Sequence, residues 1–267
     1  MASGRFALRS AVALGALVLA VLVTWPTAGP RAEVASAPAA ERPAGEVRPG
    51  ETVAGEIGRL VYLVDEEGWR RLMDLEAARD FFLLSTYLES ERFLTFCAVA
   101  SIAAALNSLD VPRPLDPMRF PFPFFTQENV FTLANEQVKS FENVVTQGLT
   151  LAEIEQFLGN LGARGDAMFA ASQTPDGMRA AIREGVDDPG ARVLVNYDRA
   201  VLGQDGAGHV SPIGAYDPQT DSVLVLDVAR YKYPPVWVPL PLLFEAMRGS
   251  DPGSGRSRGI VTVRAAG

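Results

Sequence analysis

One cysteine and one histidine are all that 267 residues provide, and this scarcity excludes several functions at once. Cys97 has no second thiol to pair with, so no intrachain disulfide can form. One Cys with one His cannot supply the four nitrogen and sulfur ligands of a structural zinc site. Basic residues are also scarce: 24 Lys and Arg stand against 32 Asp and Glu, a formal net charge of -8, and nowhere do they cluster. Binding a phosphate backbone needs a concentrated excess of Lys and Arg, so nucleic acid is excluded as a partner. Internal repeats are absent too.

The start of the chain has no charge between Ala11 and Trp25, after Arg5 and Arg9. A positive start followed by an apolar centre is the layout of an export signal, and the run is short of the roughly 20 residues a spanning helix needs. A small-x-small site, Ala35-Ser36-Ala37, precedes Pro38, a poor residue after a cleavage point. Residues 1–25 therefore read as a signal peptide or an uncleaved membrane anchor. Either places the folded part outside the cytoplasm, in the periplasm or on the outer face of the inner membrane. Residues 26–55, broken by Pro26, Pro30, Pro38, Pro43 and Pro49, read as a disordered Pro/Ala-rich linker. One domain remains, 56–267.

Within it, "EGWRRLMDLEAARDFFLLSTYL" carries apolar residues at helical steps, and Val99, Ile102, Leu106 and Leu109 mark one face of a helix with Cys97 in its first turn. "DVPRPLDPMRFPFPFFTQENVF" has too many prolines for regular structure and too many aromatics for a solvated loop; it should pack along a cleft or against a partner chain. Thr150 with Glu153 forms a capping-box pattern, and Thr174-Pro175 an N-cap followed by the first helical residue. The later runs "ARVLVNY", "HVSPIGAYD", "SVLVLDVA" and "GIVTVRAA" are β-rich. The expected fold is α+β, a helical N-terminal lobe against a C-terminal antiparallel sheet.

A thiol at a helix N-terminus faces unpaired N-H groups that favour the thiolate, so Cys97 is placed as a nucleophile. A small buried hydrophobe is the alternative. His209 follows a glycine-rich turn and opens a strand, which fixes its ring while leaving it accessible. Asp227 stands between apolar neighbours, where a carboxylate is costly unless hydrogen-bonded; an imidazole on the adjacent strand would do that, and a solvated strand end is the alternative. Together the three make a Cys-His-Asp arrangement on the papain-like plan, with the cysteine on a helix and its partners on the sheet.

The segments "FCAVASIAAALNSL", "GHVSPIGAYDPQTDSVLVLDVARYKYPPVWVPL" and "SRGIVTV", spread between Tyr87 and Val263, resemble the phytochelatin synthase family of glutathione γ-glutamylcysteinyltransferases, in its short bacterial type. The resemblance implies a papain-like cysteine peptidase or acyltransferase. In it Cys97 attacks the Cys-Gly bond of glutathione, glycine leaves, and a γ-glutamylcysteinyl thioester passes to water or to a second glutathione. It further implies His209 as acid and base, Asp227 as its orienting partner, and substrate contacts at Asn196, Gly208, Asp251 and Arg258. Asp251 and Arg258 suit the ammonium and carboxylate of a γ-glutamyl end, although without the resemblance they also read as an exposed loop pair.

Family members usually carry glutamine six residues before the cysteine, where its amide helps hold the oxyanion; here that position is Glu91. A carboxylate there opposes the developing charge. The resemblance implies no cofactor and no protein-bound metal, heavy metals entering as metal-thiolate forms of glutathione, and it suggests a homodimer. The cysteine-rich extension of the plant members, thought to tune their response to metals, cannot be built from a chain with no other thiol. The rivals are an envelope protein that binds glutathione or metal-glutathione with weakened turnover, and a general envelope peptidase.

Overall fold

The computed structural model describes residues 58–76 and 78–266. The expected signal or anchor and the whole of the linker lie outside them. Among the described residues no helix is long and apolar enough to cross a membrane. In chain order the elements are β1 (Val61–Tyr62), α1 (Glu66–Asp74), α2 (Arg79–Tyr87), α3 (Cys97–Asn107), α4 (Leu133–Val138), α5 (Phe141–Gln147), α6 (Leu151–Asn160), β2 (Ala163–Phe169), α7 (Pro175–Asp187), β3 (Ala191–Asp198), β4 (Gly208–Asp217), β5 (Ser222–Val225), β6 (Val236–Pro239), α8 (Leu240–Arg248) and β7 (Gly259–Ala265). Short 3-10 turns follow β2 and β3.

The strands form one sheet in the order β1-β6-β5-β4-β3-β7-β2, every pairing antiparallel. This is the α+β architecture expected from sequence, with two additions. The edge strands β1 and β2 come from the part of the chain read as helical. In β2 the stretch "ARGDAMF" lacks the branched residues that favour strands, and it is held by its register with β7, from Ala163 opposite Ala265 to Phe169 opposite Gly259.

Helices cover both faces of the sheet. Side chains of α2, α3 and α6 share a core with Leu194, Val210, Leu224 and Val261, while α7 and α8 pack with Val193, Val195, Ile213 and Ile260. Alternation along β3 sends Leu194 to one core and its neighbours to the other, which is why "ARVLVNY" is apolar without a break.

The expectation of a single apolar face on α3 is corrected. All eleven of its residues are buried, with Ala98, Ala100, Ala103, Ala104 and Ala105 filling the sides that Val99, Ile102 and Leu106 leave. Small side chains let a helix run through the core rather than lie on it. Ser101 Oγ, 2.7 Å from Cys97 O and 3.2 Å from Val210 O, ties the first turn of α3 to β4.

Both helix starts read from sequence form as expected. At α6, Thr150 N donates to Glu153 Oε2 at 2.7 Å and Glu153 N to Thr150 Oγ1 at 3.4 Å; at α7, Gly177 N donates to Thr174 Oγ1 at 3.1 Å. The proline-rich segment is irregular, and it is pinned by Asn107, whose side chain bonds both the N-H and the C=O of Phe125 at 2.9 and 2.8 Å. Its tip leaves Leu115, Met118, Phe120 and Phe122 exposed and does not line the pocket at Cys97.

Candidate active site

The turn that presents Cys97 is built from aromatic rings. Phe96, buried immediately before it, has Phe93, Phe141 and Phe131 with ring centroids 4.7, 5.4 and 5.7 Å away. Thr95 Oγ1 donates to Val145 O at 2.9 Å, and Gly148, at φ 69°, passes so close that a Cβ would lie 3.2 Å from Thr95 O. Only glycine meets both conditions without strain.

At this turn the donor atoms of Glu91, Cys97 and His209 lie within 4.8 Å of one another. Nε2 of His209 is 3.0 Å from Asp227 Oδ1 and 3.0 Å from Ser211 Oγ. With Nε2 so engaged, Nδ1 is the nitrogen left to serve the thiol. Asp227, two residues past β5, is fully buried and accepts from Ala229 N at 2.8 Å and Arg199 Nη2 at 2.8 Å. Arg199 is buried as well; it donates to Gln204 Oε1 at 2.9 Å, and its guanidinium lies 5.1 Å from the ring centre of Tyr233.

These partners set the charge states. Burial alone would raise the pKa of Asp227, but the bond to His209 and the charges of His209 and Arg199 hold it below the usual carboxylate range. Burial lowers the pKa of His209 against the pull of Asp227. Cys97 is pushed up to about 12 by burial and then by the neighbouring Glu91 carboxylate, which outweigh backbone hydrogen bonds at Val210 and Ala98. The expectation that the helix N-terminus lowers the thiol pKa is thereby corrected: desolvation is the larger effect, and the resting pair is a neutral thiol beside a neutral imidazole.

Glu91 is 7% exposed, and burial raises its pKa. Tyr231 Oη donates to its Oε1 at 2.7 Å, and its backbone N donates to Val228 O at 2.9 Å, while Oε2 is buried with no hydrogen-bond partner among the described residues. The carboxylate therefore stands beside the thiol with one oxygen uncommitted.

Cys97 and His209 open on a pocket of about 250 Å³ whose lining includes Asn196, Gly208, Asp251 and Arg258, all four of the substrate contacts suggested by sequence. Asp227 and Glu91 stand behind this lining. Arg258 is held by Ser250 O at 3.1 Å and approaches Asp198 Oδ2 at 3.8 Å, and its Nε is buried without a partner among the described residues. It runs so near Gly208 that a Cβ there would lie 3.1 Å from Nη2. Asp251 accepts from Gly253 N and Ser254 Oγ, both at 3.1 Å. The pocket thus carries a cation and an anion beside a thiol with an oriented base, a set able to hold a zwitterion while the sulfur attacks an acyl carbon.

Sequence reasoning missed Arg199, Ser211 and Tyr231, and on the helical side of the pocket Leu94, Thr95, Gln147 and Leu149. Ser211 was the most accessible of these, since residues two apart on a strand point to the same face.

The family model for phytochelatin synthase matches residues 60–260. Glutathione gamma-glutamylcysteinyltransferase 2 of Arabidopsis thaliana is 34% identical over 183 residues, 68% of this chain and 39% of its own length. Glutathione gamma-glutamylcysteinyltransferase 1 of the same plant is 32% identical over 68% of this chain and 36% of its own length. The glutathione gamma-glutamylcysteinyltransferase of Schizosaccharomyces pombe is 30% identical over 184 residues, 69% of this chain and 43% of its own. The chain spans about two fifths of the length of these relatives. With a match running from the approach to β1 into β7, and taking in Cys97, His209 and Asp227, the chain belongs to the phytochelatin synthase family.

Proposed function

We propose that the protein is a papain-like cysteine enzyme that cleaves the Cys-Gly bond of glutathione, or of a close γ-glutamyl thiol, through a γ-glutamylcysteinyl thioester on Cys97. The observation that carries this reading is the Cys97, His209 and Asp227 arrangement opening on a pocket that also holds Asp251 and Arg258. Arg258 takes the α-carboxylate of the γ-glutamyl group and Asp251 its ammonium, while Asn196 and Gly208 line the path between them and Cys97. Because thiol and imidazole both begin neutral, the proton passes from Sγ to Nδ1 as the sulfur attacks the carbonyl. His209 then gives that proton to the departing glycine amine. In the second half it takes a proton from water, yielding γ-glutamylcysteine, or from the amine of a second glutathione, yielding a longer peptide, and returns it to Sγ as the thioester C–S bond breaks. Asp227 holds the ring throughout and offsets its transient positive charge.

No cofactor enters this cycle, and heavy metals take part as metal-thiolate forms of the substrate. A homodimer, and an exported or membrane-anchored location given by the first 25 residues, belong to the same reading.

A second reading rests on Glu91. Its carboxylate stands beside the thiol where an amide donor would hold the oxyanion, so the chain could hold glutathione or metal-glutathione with little turnover. Incubating the full chain with glutathione, with and without cadmium, separates the two. Free glycine, γ-glutamylcysteine and an acyl adduct on the intact protein that is lost in Cys97→Ala are the expected results, and longer peptides with cadmium would add transfer to hydrolysis. Glutathione binding without glycine or adduct would put the binding protein in first place.

A further inference from the structure

We propose that Glu91, Cys97 and His209 together form a site for one Zn2+ or Cd2+ ion, held directly by the protein and apart from any metal carried by the substrate. The inference goes beyond the reading above and would stand if the protein turned over no glutathione.

The donor set is one thiolate sulfur, one imidazole nitrogen and one carboxylate oxygen, a combination that suits borderline and soft divalent ions. All three donor atoms lie within 4.8 Å of one another. Bonds of about 2.0–2.3 Å in a tetrahedron set donors about 3.3–3.8 Å apart, so a contraction of at most about 1–1.5 Å closes the site. A four-ligand nitrogen and sulfur site is ruled out by the count of Cys and His, but this mixed set of three is not.

An independent observation points to the same ligand. Glu91 is 7% exposed, its Oε1 is taken by Tyr231 Oη at 2.7 Å, and its Oε2 is buried with no partner among the described residues. A buried carboxylate oxygen without a donor is costly, and a cation beside it removes that cost. The surroundings already resemble a metal ligand shell: Tyr231 orients the carboxylate, and Asp227, 3.0 Å from Nε2, leaves Nδ1 of His209 for the ion. Cys97 and His209 line the pocket, so the ion has an entry route and a fourth position for water or a substrate thiol. On binding, the thiol releases its proton to solvent and the sulfur lone pair goes to the metal, with no change of oxidation state. Bound free ion would block attack by Cys97, an effect opposite to that of metal entering on glutathione.

The test is calorimetric titration of the full reduced chain with Zn2+ alone, without glutathione, repeated with Cd2+ while following ultraviolet thiolate-to-metal charge-transfer absorbance. One ion per chain is expected, with the absorbance band absent in Cys97→Ser. Binding should weaken at least about tenfold in Glu91→Gln, a near-isosteric change. If Glu91→Gln fails to fold, the stoichiometry of the unaltered chain and the loss of the band in Cys97→Ser decide the matter. Failure to bind one ion, or binding that Glu91→Gln and Cys97→Ser leave unchanged, overturns the site. Glycine release from glutathione without added metal is read separately, so the metal site and the proposed activity can fail independently.

Discussion

Arg199 and Asp227 are both buried, and their ion pair decides how the imidazole of His209 is held. Removing the guanidinium leaves a carboxylate stranded in the core, a loss that for buried pairs costs about 3–5 kcal/mol. Arg199→Ala should therefore lower the unfolding free energy measured in urea by that much as well as slow turnover; a change below about 1 kcal/mol would mean the carboxylate is satisfied without it. Beside the thiol the opposite result is expected. Glu91→Gln replaces an uncommitted carboxylate oxygen by an amide donor, and glycine release should rise by up to about 100-fold, whereas Glu91→Ala, which supplies no donor, should not gain. The two cases show what a sequence displays at this scale. Cys97, His209 and Asp227 are legible because a lone thiol at a helix start, a lone histidine after a glycine turn and an acid in an apolar run are each unusual. Arg199, in "VNYDRAVLGQD", reads as an ordinary basic residue by a turn, and only the folded sheet brings it to an aspartate 28 positions away.

Among the elements, α3 shows where periodicity misleads. Val99, Ile102 and Leu106 satisfy a one-faced helix, and on that reading the opposite side, with Ala104, would tolerate a larger residue. In the fold Ala104 is 1% exposed and α3 is enclosed all round. Ala104→Leu should thus overpack the core and destabilise by about 1–3 kcal/mol, measured by urea unfolding; an unchanged midpoint would restore the one-faced reading. Alanine is scored as neutral filler in a pattern search, so the closeness it permits goes unread. β2 was missed for a related reason: its strand form comes from β7 beside it rather than from its own residues. At the head of β4, a Gly208→Ala methyl would meet Arg258 Nη2 at 3.1 Å and Nε at 3.3 Å. The guanidinium, not the backbone, has to give way. With glutathione as the proposed substrate, the expected result is a raised KM with kcat much less affected; a fall in kcat alone would place the effect on His209 instead.

Across the whole molecule, a second buried ion pair far along the chain links α2 to β3. Asp80 and Arg192 are each 1% exposed, with Nη1 3.3 Å from Oδ1, and Arg79 approaches the same carboxylate at 3.6 Å. Arg192 donates instead to Ser108 O at 2.7 Å and Ser108 Oγ at 2.9 Å, and among the described residues neither oxygen of Asp80 receives a hydrogen bond. Burial outweighs the charges of Arg192 and Arg79, with Asp188 acting in the same direction as burial, and the carboxyl is pushed up to about 6 from 3.8. A carboxyl whose pKa is higher in the fold than in the unfolded chain favours folding below the unfolded value, and that contribution is lost as pH rises through the folded one. The shift of about 2 units corresponds to about 3 kcal/mol, lost between roughly pH 4 and 6. Other carboxylates titrate in the opposite sense, so the informative quantity is the difference between the unaltered chain and Asp80→Asn. Asparagine leaves Arg192 without its counter-charge, a penalty that does not vary with pH over this range. The stability of Asp80→Asn relative to the unaltered chain should therefore improve by about 3 kcal/mol between pH 4 and 7, and stop changing above that. A difference that stays flat across the window would mean that Asp80 ionises in the fold as readily as in the unfolded chain, with Arg192 supplying what its missing hydrogen bonds do not. From sequence, Asp80 in "AARDFFLL" reads as an acid favouring the start of a helix; its burial depends on β3, more than a hundred residues later, closing over it.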